Sequence, residues 1–479
     1  MFRVLAFFLA VTSVFAQDAG TVLGLSVTAR TLRNTVKLTP ARQQEIDALT
    51  SAAVKAASAK DYKEAFKDYR HALALLNGAE WTPNLAWTTA LTIKADHCVL
   101  EPGQIVSLHM GQSFRLDQPL NQHPYATVYL TPFYSAEPRT ILKTFDRLDP
   151  DFSSKPFDFT VRIPNTPDGS YRLTVEFTEL GSKNVPVTVL RDVMAGVYKT
   201  RAVIAKLDPK KAPELPSAEG HLVRIEAADR GEFGEKINSV DCAFELSQAK
   251  RLLADIVIGQ DPFRKTSGDI QKSYRSAVDN TLQPYRLFIP SSYDGKTPFP
   301  LIMLLHGMGG DENTMFDIYG NGAFETLAEK HGYIVACPKG REPTSMYRGS
   351  AEQDVLDVLA DVRRVYKIDP NRIYLTGHSM GAYGTWSIAI DHPEIFAGLA
   401  PISGGGDVNE VAKTAKIPQL VTHGDHDPTV PVENSRIMVE ALKKAGAEVK
   451  YNEIAGGNHT SVAVPAFGPI FDWFDSHHK

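Results

Sequence analysis

The segment RIYLTGHSMGAYGTW, Arg372 to Trp386, constrains this chain more than any other. An apolar, strand-like run ends at Thr376, Gly377-His378-Ser379-Met380-Gly381 follows, and then a helical pattern begins. A serine between glycines at a strand-to-helix turn needs those glycines, because side chains two residues to either side of so sharp a bend would collide. The turn lifts the Ser379 hydroxyl clear of a sheet and sets it at a helix N-terminus. The surrounding chain agrees with a sheet of that kind. RLFIP, FPLIMLLHG, GYIVACP, GLAPISG, IPQLVTHG and VKYNEI are strand-like, several of them almost wholly apolar, with amphipathic segments between them. Strands alternating with helices, and apolar on both sides, predict a mostly parallel sheet with helices on both faces. This α/β domain is assigned to residues 262–479.

The rest of the chain is read as several further parts. With 479 residues, 43 % hydrophobic, it is long enough for more than one domain. Its formal charge of −5 leaves no basic surplus to displace counterions from phosphates, so nucleic acid is not expected as a partner. The opening MFRVLAFFLAVTSVFAQ has a positive start at Arg3 and an apolar run from Val4 to Phe15, too short to span a bilayer comfortably. Val14-Phe15-Ala16 then reads as a cleavage site, so residues 1–16 are expected to be an export signal. A secreted or periplasmic protein, free of the membrane once cut, is the expectation. Residues 17–84 form a helical segment, with a hairpin at about 40–78 that resembles one tetratricopeptide unit. A single unit cannot bury its own face, so it is expected to pack as an arm. From about Trp87 the apolar period becomes two, with turn signals such as Asn165-Thr166-Pro167-Asp168-Gly169. Residues 85–192 are therefore expected to be an immunoglobulin-like β-sandwich. Residues 193–261 look like a helical linker region, broken at Pro213 and Pro216. Cys98, Cys242 and Cys337 have no zinc-ligand spacing; Cys337 reads as a core thiol, and pairing of Cys98 with Cys242 is left open.

A serine hydroxyl is a poor nucleophile until a base takes its proton. On a sheet with this elbow, the expected chain order is serine, then a carboxylate, then histidine. The stretch HGDHDPTVP, His423 to Pro431, follows the strand IPQLVTHG and supplies two aspartates and two histidines. Its pattern matches neither H-x-H-x-D-H nor H-E-x-x-H, so no metal site is assigned. Asp427 precedes Pro428 and Val430-Pro431 on a rigid turn and is chosen as the working carboxylate. Asp425 is expected to turn or cap the loop. His459, in AGGNHTS after the strand VKYNEI, is the expected base. LLHGMGGDENT provides a glycine turn that can aim a backbone N–H, so Met308 and Met380 are assigned as the two oxyanion donors. His306, His378, Tyr347 and Arg348 are the candidate substrate-binding residues.

Together YRLFIPSSYD, LLHGMGGDENT, TGHSMGAYGTW, PISGGGD, HGDHDPTVP and GGNHTS resemble the α/β-hydrolase superfamily. They are similar to secreted esterases of the feruloyl esterase and poly(3-hydroxybutyrate) depolymerase type, over roughly the last 200 residues. The resemblance implies a Ser379–Asp427–His459 triad, matching the reading of the residues, and a serine carboxylesterase acting on a small ester or an ester-substituted polymer without a cofactor. Ala382 departs from relatives that often carry another glycine there. The short link GGGDVNEVAKTAK leaves no room for a lid after GLAPISG. Two alternatives stay open. One is a prolyl-oligopeptidase-type peptidase, which shares much of the pattern. The other is a carbohydrate-binding protein with an inert hydrolase domain.

Overall fold

The computed structural model describes residues 19–342 and 344–479. The export signal read at residues 1–16 lies outside them. The chain divides into two compact units. One takes the residues up to Val197 together with Arg224–Glu245; the other takes Tyr198–Val223 and Leu246–Lys479. The stretch 193–261, read above as one linker, is thus shared between the units.

The first unit opens with α1 (Ala19–Thr35), α2 (Pro40–Ser58), α3 (Tyr62–Leu76) and α4 (Pro83–Ala90). Local chemistry starts these helices: the side chains of Thr39, Asp61 and Thr82 accept the N–H of Arg42, Glu64 and Leu85, and Pro40 and Pro83 occupy first-turn positions. The hairpin α2–α3 does not close its core alone. Val22 and Ala29 of α1 join Ile46, Ala53, Phe66 and Tyr69 in one buried cluster. The segment before Pro40 carried no clear signal in the sequence because its apolar stripe is only a few residues wide.

Eight strands follow: β1 (Leu91–Ala95), β2 (Val99–Leu100), β3 (Ile105–Gln112), β4 (Ala126–Pro132), β5 (Thr140–Phe145), β6 (Phe157–Arg162), β7 (Gly169–Phe177) and β8 (Gly181–Val189). They form a three-stranded sheet, β1-β3-β6, and a five-stranded sheet, β2-β8-β7-β4-β5. The period of two is real: β3 buries Val106, Leu108 and Met110, and β7 buries Leu173, Val175 and Phe177. Trp87 is fully enclosed, edge-on to Phe177 at 5.0 Å, and its indole N–H donates to the Pro150 carbonyl at 2.8 Å. Cys98 and Cys242 are buried free thiols, not a disulfide, and burial pushes both up to about 12.

Three helices, α5 (Val193–Ile204), α6 (Leu215–Asp229) and α7 (Cys242–Val257), lead to the second sheet. Its strands are β9 (Gly268–Arg275), β10 (Leu282–Ile289), β11 (Phe299–Leu305), β12 (Ile334–Pro338), β13 (Ile368–His378), β14 (Gly398–Ile402), β15 (Gln419–Gly424) and β16 (Val449–Ile454). The order is β16-β15-β14-β13-β11-β12-β10-β9. β11 to β16 pair in parallel, and β10 and β9 extend one edge antiparallel. One face is covered by α9 (Ala323–His331) and α13 (Ala463–Ser476), whose Phe324, Phe467, Phe471 and Phe474 pack on Val335 and Tyr374. On the other, Trp386 of α11 (Met380–Asp391) packs with Val421 and with Met438 and Leu442 of α12 (Glu433–Lys444). The β9 strand, GDIQKSYR, was not apparent from the sequence, since it carries a lysine at a core position. Lys272 is 1 % exposed; its ammonium lies 3.1 Å from Glu214 and 3.3 Å from Asp361, over the Phe263 ring at 4.6 Å. Two carboxylates and an aromatic face make that burial tolerable.

Candidate active site

Strand register brings the site together. Leu305 pairs with Gly377, His378 with Ile402, Ile402 with Thr422, and Gly424 with Ile454. The C-terminal ends of β11, β13, β14, β15 and β16 are therefore level, the edge at which ligands of open α/β sheets gather. Ser379 sits there with φ 57° and ψ −117°, a conformation costly for a residue with a side chain, held by its N–H donating to the Ile402 carbonyl at 2.9 Å. The flanking glycines are obligatory. A Cβ on Gly381 would stand 2.3 Å from the Leu305 carbonyl oxygen, and one on Gly377 would stand 2.6 Å from Gly381 backbone atoms. Ala382 has its own accommodation: a Cβ on Gly404 would fall 2.4 Å from the Ala382 Cβ. The missing side chain of Gly404, in PISGGGD, is the space Ala382 fills.

His459 follows β16 on a loop shaped by Asn458, whose side-chain oxygen accepts the N–H of Thr460 and Ser461. Its Nε2 lies 2.9 Å from Ser379 Oγ and its Nδ1 lies 2.7 Å from Asp427 Oδ2. The Asp427 carboxylate can only accept, so Nδ1 carries the proton and the Nε2 lone pair faces the serine hydroxyl. Asp427 is enclosed, and burial opposes its charge. The N–H groups of Val430 and Thr429, at 2.9 and 2.8 Å, and His459 nevertheless hold its pKa below the ordinary carboxylate value. Asp425 serves the loop backbone instead, accepting the Gly456 N–H at 2.6 Å and so tying the two loops together.

The histidines of HGDHD have partners within the same loop region. His426 is exposed and meets Asp425 at 2.7 Å. His423 is buried, with Nε2 3.0 Å from the Val430 carbonyl and 3.2 Å from Asp427 Oδ2, and Nδ1 2.7 Å from Ser435 Oγ. Asp427 thus serves two imidazoles. Among the described residues no group of three or more His, Cys, Asp or Glu side chains is arranged to hold a metal.

The backbone of the β11 loop lies against the nucleophile: a Cβ on Gly307 would be 3.5 Å from Ser379 Cβ. Met308 comes next and is 53 % exposed, while Met380 is buried. Of the four residues considered for substrate binding, His306 and Tyr347 are enclosed. His306 is 1 % exposed, with its ring nitrogens on the carbonyls of Gly307 and Lys339. Tyr347 is fully enclosed, packed where Gly340 and Gly384 lack side chains, and its hydroxyl accepts the His306 N–H at 3.0 Å. Both therefore support the loop from beneath and present no surface to a ligand. Arg348 is exposed just before α10 (Ser350–Val365), in the field of Glu352. His378 is buried, and desolvation followed by the neighbouring His459 pushes it down to about 4. It is neutral, donating from Nε2 to the His459 carbonyl at 2.7 Å and accepting the Tyr319 hydroxyl at Nδ1, 3.0 Å. Tyr319 has no local signal in the sequence; it is visible only through this contact.

A parallel sheet with an elbow serine, and with an aspartate and a histidine on later loops in that chain order, is the α/β-hydrolase fold. Within it, residues 350–465 match the family described as Phospholipase/Carboxylesterase. The chain is 30 % identical over 131 residues to a bifunctional acetylxylan esterase/xylanase of Neocallimastix patriciarum, 27 % of this chain and 19 % of that protein. It is 30 % identical over 119 residues to poly(3-hydroxyalkanoate) depolymerase C of Paucimonas lemoignei, 22 % of this chain and 28 % of that one. With the poly(3-hydroxyoctanoate) depolymerase of Pseudomonas fluorescens it shares 26 % over 242 residues, 44 % of this chain and 86 % of the relative. The first two matches span less than a third of those relatives' length.

Proposed function

We propose that this protein is an exported serine carboxylesterase. The observation that carries the reading is the unbroken series Ser379 Oγ–His459–Asp427, at 2.9 and 2.7 Å, on a strained elbow. Ser379 Oγ attacks the ester carbonyl carbon while its proton passes to His459 Nε2. Asp427 holds the imidazole in the accepting tautomer and offsets the imidazolium charge. The carbonyl oxygen becomes an oxyanion, received by the backbone N–H groups of Met308 and Met380. Neither N–H has an acceptor among the described residues. Collapse expels the alcohol, which takes the proton from His459. Water, deprotonated by His459, then attacks the acyl-serine and releases the acid. Met308, next to the Gly307 backbone that lies against Ser379, is 53 % exposed and offers an apolar side chain to an uncharged acyl or alcohol group. The esterases and depolymerases that share its segments support an ester, free or on a polymer. The same reading takes residues 1–16 as the export signal, 85–192 as an immunoglobulin-like sandwich, and the protein's place as secreted or periplasmic.

The test compares hydrolysis of aryl acetate, butyrate and ferulate, and of a blocked fluorogenic dipeptide, by wild type and Ser379→Ala. A loss of about 10³-fold or more with the esters is expected. Equal ester hydrolysis by both proteins overturns the serine mechanism; turnover of the dipeptide alone replaces the esterase with a peptidase.

A further inference from the structure

The second unit has an open cavity of about 600 Å³ far from Ser379. Tyr293 to Lys296 lead into β11, and Tyr366 and Lys367 lead into β13, so the cavity lies at the N-terminal ends of the parallel strands. Ser379 follows the other end of β13, an 11-residue strand. At ~3.3 Å per residue that is on the order of 30 Å away.

The lining is donor-rich. It contains six cationic side chains and two carboxylates, in a chain whose acidic residues outnumber its basic ones, 56 to 51. Arg364 is committed to Glu214 and Asp361, both at 2.6 Å, and Lys367 donates to the Lys296 carbonyl at 2.9 Å. Among the described residues, Arg264, Lys265, Lys296 and Arg363 have no carboxylate within ion-pair distance. The two carboxylates are occupied by backbone: Asp261 accepts the Phe263 N–H at 2.8 Å, and Asp294 accepts those of Lys296 and Thr297 at 2.7 Å. Two phenols add to this. Tyr366 is buried and its hydroxyl has no hydrogen-bond partner among the described residues. Tyr293, edge-on to it at 5.6 Å, accepts the Lys367 N–H at 2.8 Å and has no acceptor for its own O–H among the described residues. An unpartnered buried hydroxyl is costly, and cations gathered in excess of the two carboxylates repel one another. One kind of ligand removes both penalties.

We propose that this cavity is a binding site for an oxyanion-bearing ligand, carboxylate or phosphate, held by Arg264, Lys296 and Arg363 with Tyr366 as a neutral donor. The guanidinium groups offer paired donors matched to either anion, and the lysines add charge without fixed direction. Occupancy would hold the protein to an acidic polymer or metabolite while leaving the catalytic edge free. The site stands independently of the ester chemistry.

Calorimetric titration of the full chain at low ionic strength tests this, with tripolyphosphate in one arm and trigalacturonate in the other. Saturable binding is expected, at one molecule per chain. The double variant Lys296→Gln/Arg363→Gln should weaken it at least tenfold, and Tyr366→Phe several-fold. Lys443→Gln/Lys444→Gln, at the end of α12, should leave it unchanged. Thermal unfolding identical to wild type shows that the variants are folded, and aryl ester turnover should be unchanged in all of them. Binding of only one probe identifies the anion as phosphate or carboxylate. Absence of binding in both arms overturns the proposal, as does weakening by the α12 variant equal to that by the cavity variant.

Discussion

Adding one methyl group at Gly404 should disable the elbow, and removing one at Ala382 should restore it. The Cβ of Gly404→Ala would stand 2.4 Å from the Ala382 Cβ. Carbon atoms in ordinary contact are ~3.5–4.0 Å apart, so something must move by about 1 Å or more. Gly404 is held: its carbonyl accepts the Ser435 hydroxyl at 2.9 Å, and the preceding Ser403 N–H donates to Thr422 at 2.9 Å. Ala382 lies in the first turn of α11, with its N–H on the Ser379 carbonyl at 2.9 Å. The displacement therefore falls on the residue that carries the nucleophile. Overpacking of this kind costs roughly 1–3 kcal/mol, and a shift of about 1 Å at a reacting group lowers turnover by about 10²-fold. In Ala382→Gly/Gly404→Ala the nearest remaining contacts of the new Cβ are at 3.3 Å, tight but tolerable. A double-mutant cycle on aryl acetate kcat/KM and on the urea midpoint should give a favourable coupling of roughly 1–3 kcal/mol. If Gly404→Ala keeps full kcat/KM, or the double variant is no better than the single, the packing argument is wrong.

Further outcomes follow from the same contacts. Asp427→Asn should lower kcat by about 10³–10⁴, because the amide favours the wrong imidazole tautomer, while Asp425→Asn should stay within about tenfold; parallel steady-state kinetics separate the two aspartates. Neutral His378 has a native pKa of about 4 against about 6.5 unfolded, so the unfolded chain binds the extra proton between those values. Stability should fall as pH drops through that window, by roughly 3 kcal/mol from this residue, and level off below it. Urea unfolding from pH 7.5 to 4 should show a shallower decline in His378→Asn than in wild type. Lys272→Ala removes one of the two cations held by buried Glu214 and Asp361, leaving Arg364, and should cost about 3 kcal/mol, read as a lower urea midpoint. Lys272→Met should cost less than Lys272→Ala if lost packing rather than lost charge dominates.

Much of the site was legible from the sequence because its signals are local. The bend at Ser379 needs glycine on both sides through contacts within a few residues and with the adjacent strand, so G-H-S-M-G is written in the chain itself. The apolar runs of β11 to β16 follow from burial on both faces, which shows as composition. What stayed illegible depends on which loops meet. Asp427 is chosen over Asp425 from its place before Pro428, but the partners that fix their roles come from the His459 loop, which gives the Gly456 N–H to Asp425 and the imidazole to Asp427. Tyr347 reads as a pocket residue from its place in the loop MYRGS, but the space left by Gly340 and Gly384 draws it inside.

By itself, then, the sequence determined the parallel sheet, the elbow, and the order of serine, carboxylate and histidine, because periodicity and short-range sterics act along the chain. Only the tertiary structure decided that Tyr319 orients His378, that Asp427 serves His423 as well as His459, that Gly404 makes room for Ala382, and that Lys272 is buried between carboxylates. Each of those depends on a partner many residues away, and the free energy of such a contact resides in the juxtaposition, which no single stretch of chain contains.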